Sequence, residues 1–130
     1  MIKGIGFDLV DLKRIGESYR RGGDSFLRHL LSDEEKQLFS TFKTERRQVE
    51  WLSGRFAAKE AYSKARGTGF GGEIQLNEIA VLSDHIGKPC IQIVNKKNSQ
   101  LDQVQCHVSI THTEQSAAAV VVLGGELNAS

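Results

Sequence analysis

The chain has 130 residues, 39% of them apolar and 25% charged, with a net charge of +1. That length suits one domain over residues 1–130 built on one hydrophobic core, and the apolar content is too high for a disordered chain. The near-neutral balance gives no global attraction to nucleic acid or to a membrane, so electrostatic steering has to come from local clusters.

The opening "MIKGIGFDLVDL" has one basic residue and an apolar run broken by Asp8 and Asp11. It is too short and too acidic for a signal peptide, and no apolar stretch reaches the roughly 18 residues a membrane span needs. The cytoplasm is the default location. Residues 2 to 8 read as a strand that ends by presenting Asp8. Asp11 is placed as the N-cap of a helix through "LKRIGESYRR", stopped near Gly22 and Gly23. Lys13, Arg14, Arg20 and Arg21 make that helix basic on its outside. "SFLRHLLS" reads as a short helical segment. Ser32 followed three residues later by Glu35 is the signature of a capping box, opening a helix "DEEKQLFSTF".

The longest helical pattern runs from about Thr44 to Arg66. Val49, Leu52, Phe56 and Glu60 follow its three-or-four spacing, which puts an acid on the apolar stripe. Gly67 suits the C′ position. "GTGFGGEIQLN" is glycine-rich and reads as a loop. "EIAVLS" and "PCIQIV" flank "DHIGK" and form a β-hairpin. "KKNSQLDQV" is polar, a short helix or a loop. "CHVSITHT" and "SAAAVVVLGG" are a last strand pair joined at "TEQ". Strand, helices, hairpin, hairpin describes an α+β domain with its sheet on one side. Cys90 and Cys106 have no ligand-like spacing and read as small apolar fillers in a reducing compartment.

Three polar groups stand where packing alone would favour apolar ones. Asp8 ends an apolar strand, where a turn or cap residue is the ordinary explanation. Glu60 and Lys64 are spaced for a helical ion pair worth about 0.3–0.5 kcal/mol. His112 lies in the β-branched run "SITHT", where an edge histidine is commonest. Taken together, two carboxylates and a lysine form a set able to hold Mg²⁺ against phosphates, because this hard ion takes carboxylate oxygens and leaves positions for phosphate and water. "GTGFGG" lacks the Lys-Ser/Thr ending of a P-loop, and no nucleophile-elbow sequence points to acyl transfer.

These stretches together resemble one family. "GIGFDLVDLKRI", "WLSGRFAAKEAYSKARGTG", "GKP" and "HVSITHT…AAAVVV" are similar, in order and along the whole chain, to the motifs of holo-(acyl-carrier-protein) synthases. These are the small single-domain branch of the 4′-phosphopantetheinyl transferases. The central motif is the most specific. The resemblance implies an antiparallel sheet with a long central helix, assembled as a homotrimer with active sites between subunits. It implies transfer of 4′-phosphopantetheine from coenzyme A to a serine of apo acyl carrier protein, in support of fatty acid biosynthesis. The by-product is adenosine 3′,5′-bisphosphate, and Mg²⁺ is the cofactor.

By matching position, Asp8 and Glu60 would ligate the metal and Lys64 would reach the phosphates. Glu60, directly or through a water, would take the serine proton. Across the subunit interface His112 and Thr113 would approach the adenosine 3′-phosphate, with Arg47 and Arg55 adding positive charge, since arginine forks suit phosphate oxygens. Arg14, Arg21 and Arg28, with Phe26 as an apolar neighbour, would dock the acidic recognition helix of the carrier. Phe7, where aliphatic residues are usual, is expected at a buried strand position. The last strands are apolar enough to want cover on both faces. A non-catalytic module binding coenzyme A or a carrier would be favoured by loss of Asp8 or Glu60, yet both are present. A Mg²⁺-dependent nucleotide hydrolase would have no need of a basic first helix.

Overall fold

The computed structural model describes residues 1–67, 74–94 and 104–126. Most of "GTGFGGEIQLN", most of "KKNSQLDQV" and the end of the tail "GGELNAS" therefore lie outside the described residues. Among the described residues, no helix is long and apolar enough to cross a membrane.

Strand β1 (Gly4–Asp11) leads into helix α1 (Leu12–Leu30). Asp11 occupies the N-cap position with extended backbone, but its side chain makes no cap hydrogen bond. The break expected at Gly22 and Gly23 is present as a kink. Gly23 takes φ 54° and ψ −130°, a conformation that costs a residue with a Cβ far more than glycine, and the helical path resumes after it. Helix α2 (Asp33–Phe39) opens with the full capping box. Ser32 Oγ accepts from Glu35 N at 3.3 Å, and Glu35 Oε1 accepts from Ser32 N at 2.9 Å. It stops three residues earlier than the sequence pattern suggested. Helix α3 (Glu45–Arg66) is capped by Thr44, whose Oγ1 accepts from Arg47 N. Gly67 ends it in the left-handed conformation, φ 79°.

A 3₁₀ turn (Leu76–Glu78) precedes β2 (Ile79–Ser83), which pairs with β3 (Pro89–Ile93) as the expected hairpin. Asp84 Oδ1 accepts from Ile86 N and Lys88 N and ties its turn. Strands β4 (Val104–His112) and β5 (Ser116–Glu126) form the second hairpin. β5 then lies between β4 and β1 in an antiparallel sheet ordered β1-β5-β4. Asp8 stands opposite Ala119, and His112 opposite Ala117.

The three-or-four spacing understates how much of α3 is covered. One face, through Ala57, Ala58, Ala61, Tyr62 and Ala65, packs on Val108, Ala119, Val121 and Leu123 of the sheet. Another, through Trp51 and Leu52, packs on Ile15, Leu30, Leu31 and Phe39 of α1 and α2. Small residues on the sheet side let helix and sheet approach closely. The other face of the sheet is open. Ile5, Phe7 and Leu9 are 61%, 59% and 63% exposed there, so the expectation of a buried Phe7 is corrected. In a period-two strand whose even positions face α3, Phe7 has to face away. Cys90 and Cys106 are free and half-buried. Burial pushes the Cys106 thiol up to about 11, as suits an inert filler.

Candidate active site

The site forms where β1 lies on α3. A Cβ added to Gly4 would overlap the Ala65 carbonyl oxygen. One on Gly6 would overlap that of Ala61 and stand 2.7 Å from Ala65 N and 2.8 Å from Ala61 C. Strand and helix therefore touch backbone to backbone. Two strand residues advance about 6.7 Å, and one four-residue step of helix about 6 Å. Gly4 against Ala65 and Gly6 against Ala61 thus continue to Asp8 beside the turn that carries Glu60. Helical side chains lean toward the N-terminus, so Lys64 reaches back to the same level.

Lys64 Nζ donates to Asp8 Oδ1 at 2.9 Å and to Phe7 O at 3.1 Å. The lysine spaced to pair with Glu60 along the helix is instead bonded across to the strand. Among the described residues Glu60 forms no salt bridge. Burial, then the charge of Asp8, raises its pKa, and Lys64 opposes that in part. The two acids look into a cleft of about 530 Å³ lined also by Arg14, Ile15, Ser18, Phe26 and Phe56. The lining thus combines three acids, Asp8, Asp11 and Glu60, with apolar side chains and a single arginine, Arg14.

The other expected residues fall elsewhere. Arg21 is exposed on α1. Arg28 lines a different cleft with Ser32, Asp33, Lys36 and Asn77. His112 is exposed at the end of β4, with Thr113 Oγ1 accepting from Gln115 N and Ser116 N to fix the turn. β5 separates both from β1, so a single chain does not bring them to Asp8 and Glu60. Arg47 is exposed on α3 and lies over the Phe42 ring, its guanidinium carbon 4.8 Å from the centroid. Arg55 donates through Nε to Val81 O at 3.2 Å and lies 4.6 Å over Trp51. Burial lowers its pKa to about 10, with Glu35 opposing.

Sequence reasoning missed a buried ion pair. Lys59 and Glu35 are each 0% exposed and 2.6 Å apart. Lys59 Nζ also donates to Leu30 O at 2.6 Å and Leu76 O at 3.1 Å. Glu35 Oε2 accepts from Val81 N at 2.8 Å. The available signal was a lysine set among Ala57, Ala58 and Ala61, small residues that suit a helix face packed closely against its neighbours.

The family model described as the 4′-phosphopantetheinyl transferase superfamily matches residues 4–121. The chain is 44% identical over 123 residues to a holo-(acyl-carrier-protein) synthase from Staphylococcus haemolyticus, covering 95% of this chain and 97% of that one. Among solved structures it resembles the holo-(acyl-carrier-protein) synthase of Bacillus anthracis in complex with coenzyme A (3′,5′-ADP). The TM-score is 0.81 with 39% identity over 95% and 96% of the two chains. It also resembles that of Neisseria meningitidis, with TM-score 0.85 and 34% identity over 96% and 100%.

Proposed function

The chain belongs to the 4′-phosphopantetheinyl transferase superfamily, and from that premise we propose how its own residues carry the reaction. It transfers the 4′-phosphopantetheine group of coenzyme A to a serine hydroxyl of an apo acyl carrier protein. The products are the holo carrier, used in fatty acid biosynthesis, and adenosine 3′,5′-bisphosphate. The observation that carries the assignment of roles is that Asp8, bonded to Lys64, and Glu60 line one cleft.

Mg²⁺ fits this donor set. No group of three or more metal-ligating side chains exists among the described residues. Mg²⁺ needs no such group, since one or two carboxylates plus substrate phosphates and water suffice. Burial first, and then the charge of Asp8, raise the proton affinity of Glu60, and a hard cation held by the two carboxylates would offset both. Asp8 and Glu60 would hold the ion, and it would supply neutralisation of the diphosphate.

The serine Oγ attacks the phosphorus that bears pantetheine, and that phosphorus loses its bond to the adenosine 5′-phosphate oxygen. Glu60 is the carboxylate that takes the serine proton. Lys64 moves its ammonium between Asp8 and the phosphates and offsets charge on the departing group. Arg14, Arg21, Phe26 and Arg28 dock the carrier, with Arg14 and Phe26 at the acid-lined cleft itself.

Adenosine recognition needs a second copy. His112 and Thr113 of a neighbouring subunit meet the 3′-phosphate, and Arg47 and Arg55 add charge there. The open sheet face supports self-association into a homotrimer: Ile5, Phe7 and Leu9 make an exposed apolar row that favours burial. We place the chain, as one transferase domain, in the cytoplasm.

Incubation with coenzyme A, Mg²⁺ and a competent apo carrier should add one phosphopantetheine to the carrier, read by intact mass. No gain in mass would refute the reading. Sedimentation should give three times the chain mass, and a monomer would refute the trimer.

A further inference from the structure

The buried pair Lys59–Glu35 takes no part in the reaction just described, yet it is the most completely bonded polar group among the described residues. It gathers the end of α1 through Leu30 O, the start of α2 through the Ser32 cap, the 3₁₀ turn through Leu76 O, and β2 through Val81 N. One of those bonds leads onward. The Val81 residue is held from both sides: its N–H donates to Glu35 Oε2 and its carbonyl accepts from Arg55 Nε. Arg55 is further fixed by lying on Trp51. Among the described residues no acceptor meets its two terminal amino groups, so the guanidinium presents a fixed two-pronged fork. An arginine held by Nε and a ring face, with neither prong bonded among the described residues, is arranged to receive a planar pair of anionic oxygens.

We propose that Lys59 and Glu35 are positioning residues for anion recognition: through Val81 they fix the Arg55 fork that grips a phosphate of coenzyme A. The physical reason lies in the bond chain. A carboxylate that already accepts from Lys59 and Ser32 N has one oxygen directed at Val81 N, so β2 cannot slide along α3 without breaking a bond in the dry interior. Arg55 donates to the carbonyl of the same residue and inherits that registration. The inference rests on the reading of Arg55 as a phosphate partner, and the experiment separates the two.

The readout is the ratio of KM for dephospho-coenzyme A to KM for coenzyme A, which tracks the grip on the 3′-phosphate and is insensitive to a general loss of folded protein. Arg55→Ala should lower that ratio about tenfold, the worth of one charge-assisted contact. Two double variants then probe the relay, each with both buried charges removed together, so that neither leaves an unpaired ion. Lys59→Met/Glu35→Met removes the acceptor of Val81 N and should lower the ratio nearly as far as Arg55→Ala. Lys59→Met/Glu35→Leu removes the same acceptor with a smaller side chain and should lower the ratio to a similar extent.

An unchanged ratio in Arg55→Ala refutes the phosphate role of Arg55. A lowered ratio in Arg55→Ala with an unchanged ratio in a folded Lys59→Met/Glu35→Met overturns the positioning role. Should that variant not fold, Lys59→Met/Glu35→Leu decides: a ratio lowered nearly as far as that of Arg55→Ala supports the relay, and an unchanged ratio overturns it.

Discussion

Gly6→Ala tests the packing that sets the spacing of the acids. The new Cβ would overlap the Ala61 carbonyl oxygen and stand 2.7 Å and 2.8 Å from two further backbone atoms. An ordinary carbon–oxygen contact is about 3.3 Å or more. No side chain is present to turn aside, so β1 has to move off α3 by about 1.5 Å to restore that contact. Overpacking costs about 1–3 kcal/mol, and a purely backbone neighbour puts this case at the upper end. At about 4 °C per kcal/mol for a domain of this size, the melting temperature should fall by about 10 °C. Asp8 sits two residues along the displaced strand, so it leaves Glu60 and Lys64 by a similar distance. Misplacement on that scale lowers turnover about 100-fold. Gly54→Ala is the control. Its Cβ would meet Ile110 Cγ2 at 3.1 Å, a methyl that can shift, and alanine gains about 1 kcal/mol over glycine inside a helix. Its stability should change little or rise. Thermal melts and initial rates on both variants decide the matter. Gly6→Ala with parental melting temperature and turnover would refute the reasoning.

Glu60→Gln should abolish transfer with the fold intact by circular dichroism, and normal turnover would remove Glu60 from the site. The same variant should melt higher than the parent at neutral pH in chelator. The folded pKa of Glu60 lies above its unfolded value, so the folded state binds the proton more tightly, and stability falls as pH rises from the ordinary carboxylate range through the raised pKa. The gain should therefore disappear in melts at a pH below that range, and a pH-independent gain would mean that its cause is not this titration. Arg14→Glu should weaken carrier binding far more than coenzyme A binding in paired titrations, because Arg14 lines the cleft beside Phe26. Equal losses would argue against a docking role.

The elements most legible in sequence were those whose local chemistry is self-sufficient. Ser32 and Glu35 specify a helix start with their own hydrogen bonds, Gly67 an end with its own backbone, and the two hairpins by strand length and turn composition. Asp8 and Glu60 stood out because each interrupts an apolar pattern, and the fold brings them to one cleft. What stayed hidden depends on contacts far apart in the chain. Lys64 has a helical partner in sequence but bonds to β1, 56 residues away, because the glycines of β1 let the strand come within reach. Phe7 reads as core by composition, yet its parity in the strand turns it to the open face. Glu35 satisfies the capping box completely, and that local sufficiency conceals its second use. Its remaining oxygen and its charge go to Val81 and Lys59, 46 and 24 residues on. A buried lysine leaves no periodic trace. Only the small residues around it, Ala57, Ala58 and Ala61, hint at close packing of that helix face, and a charge buried there requires a partner that the fold must supply from elsewhere.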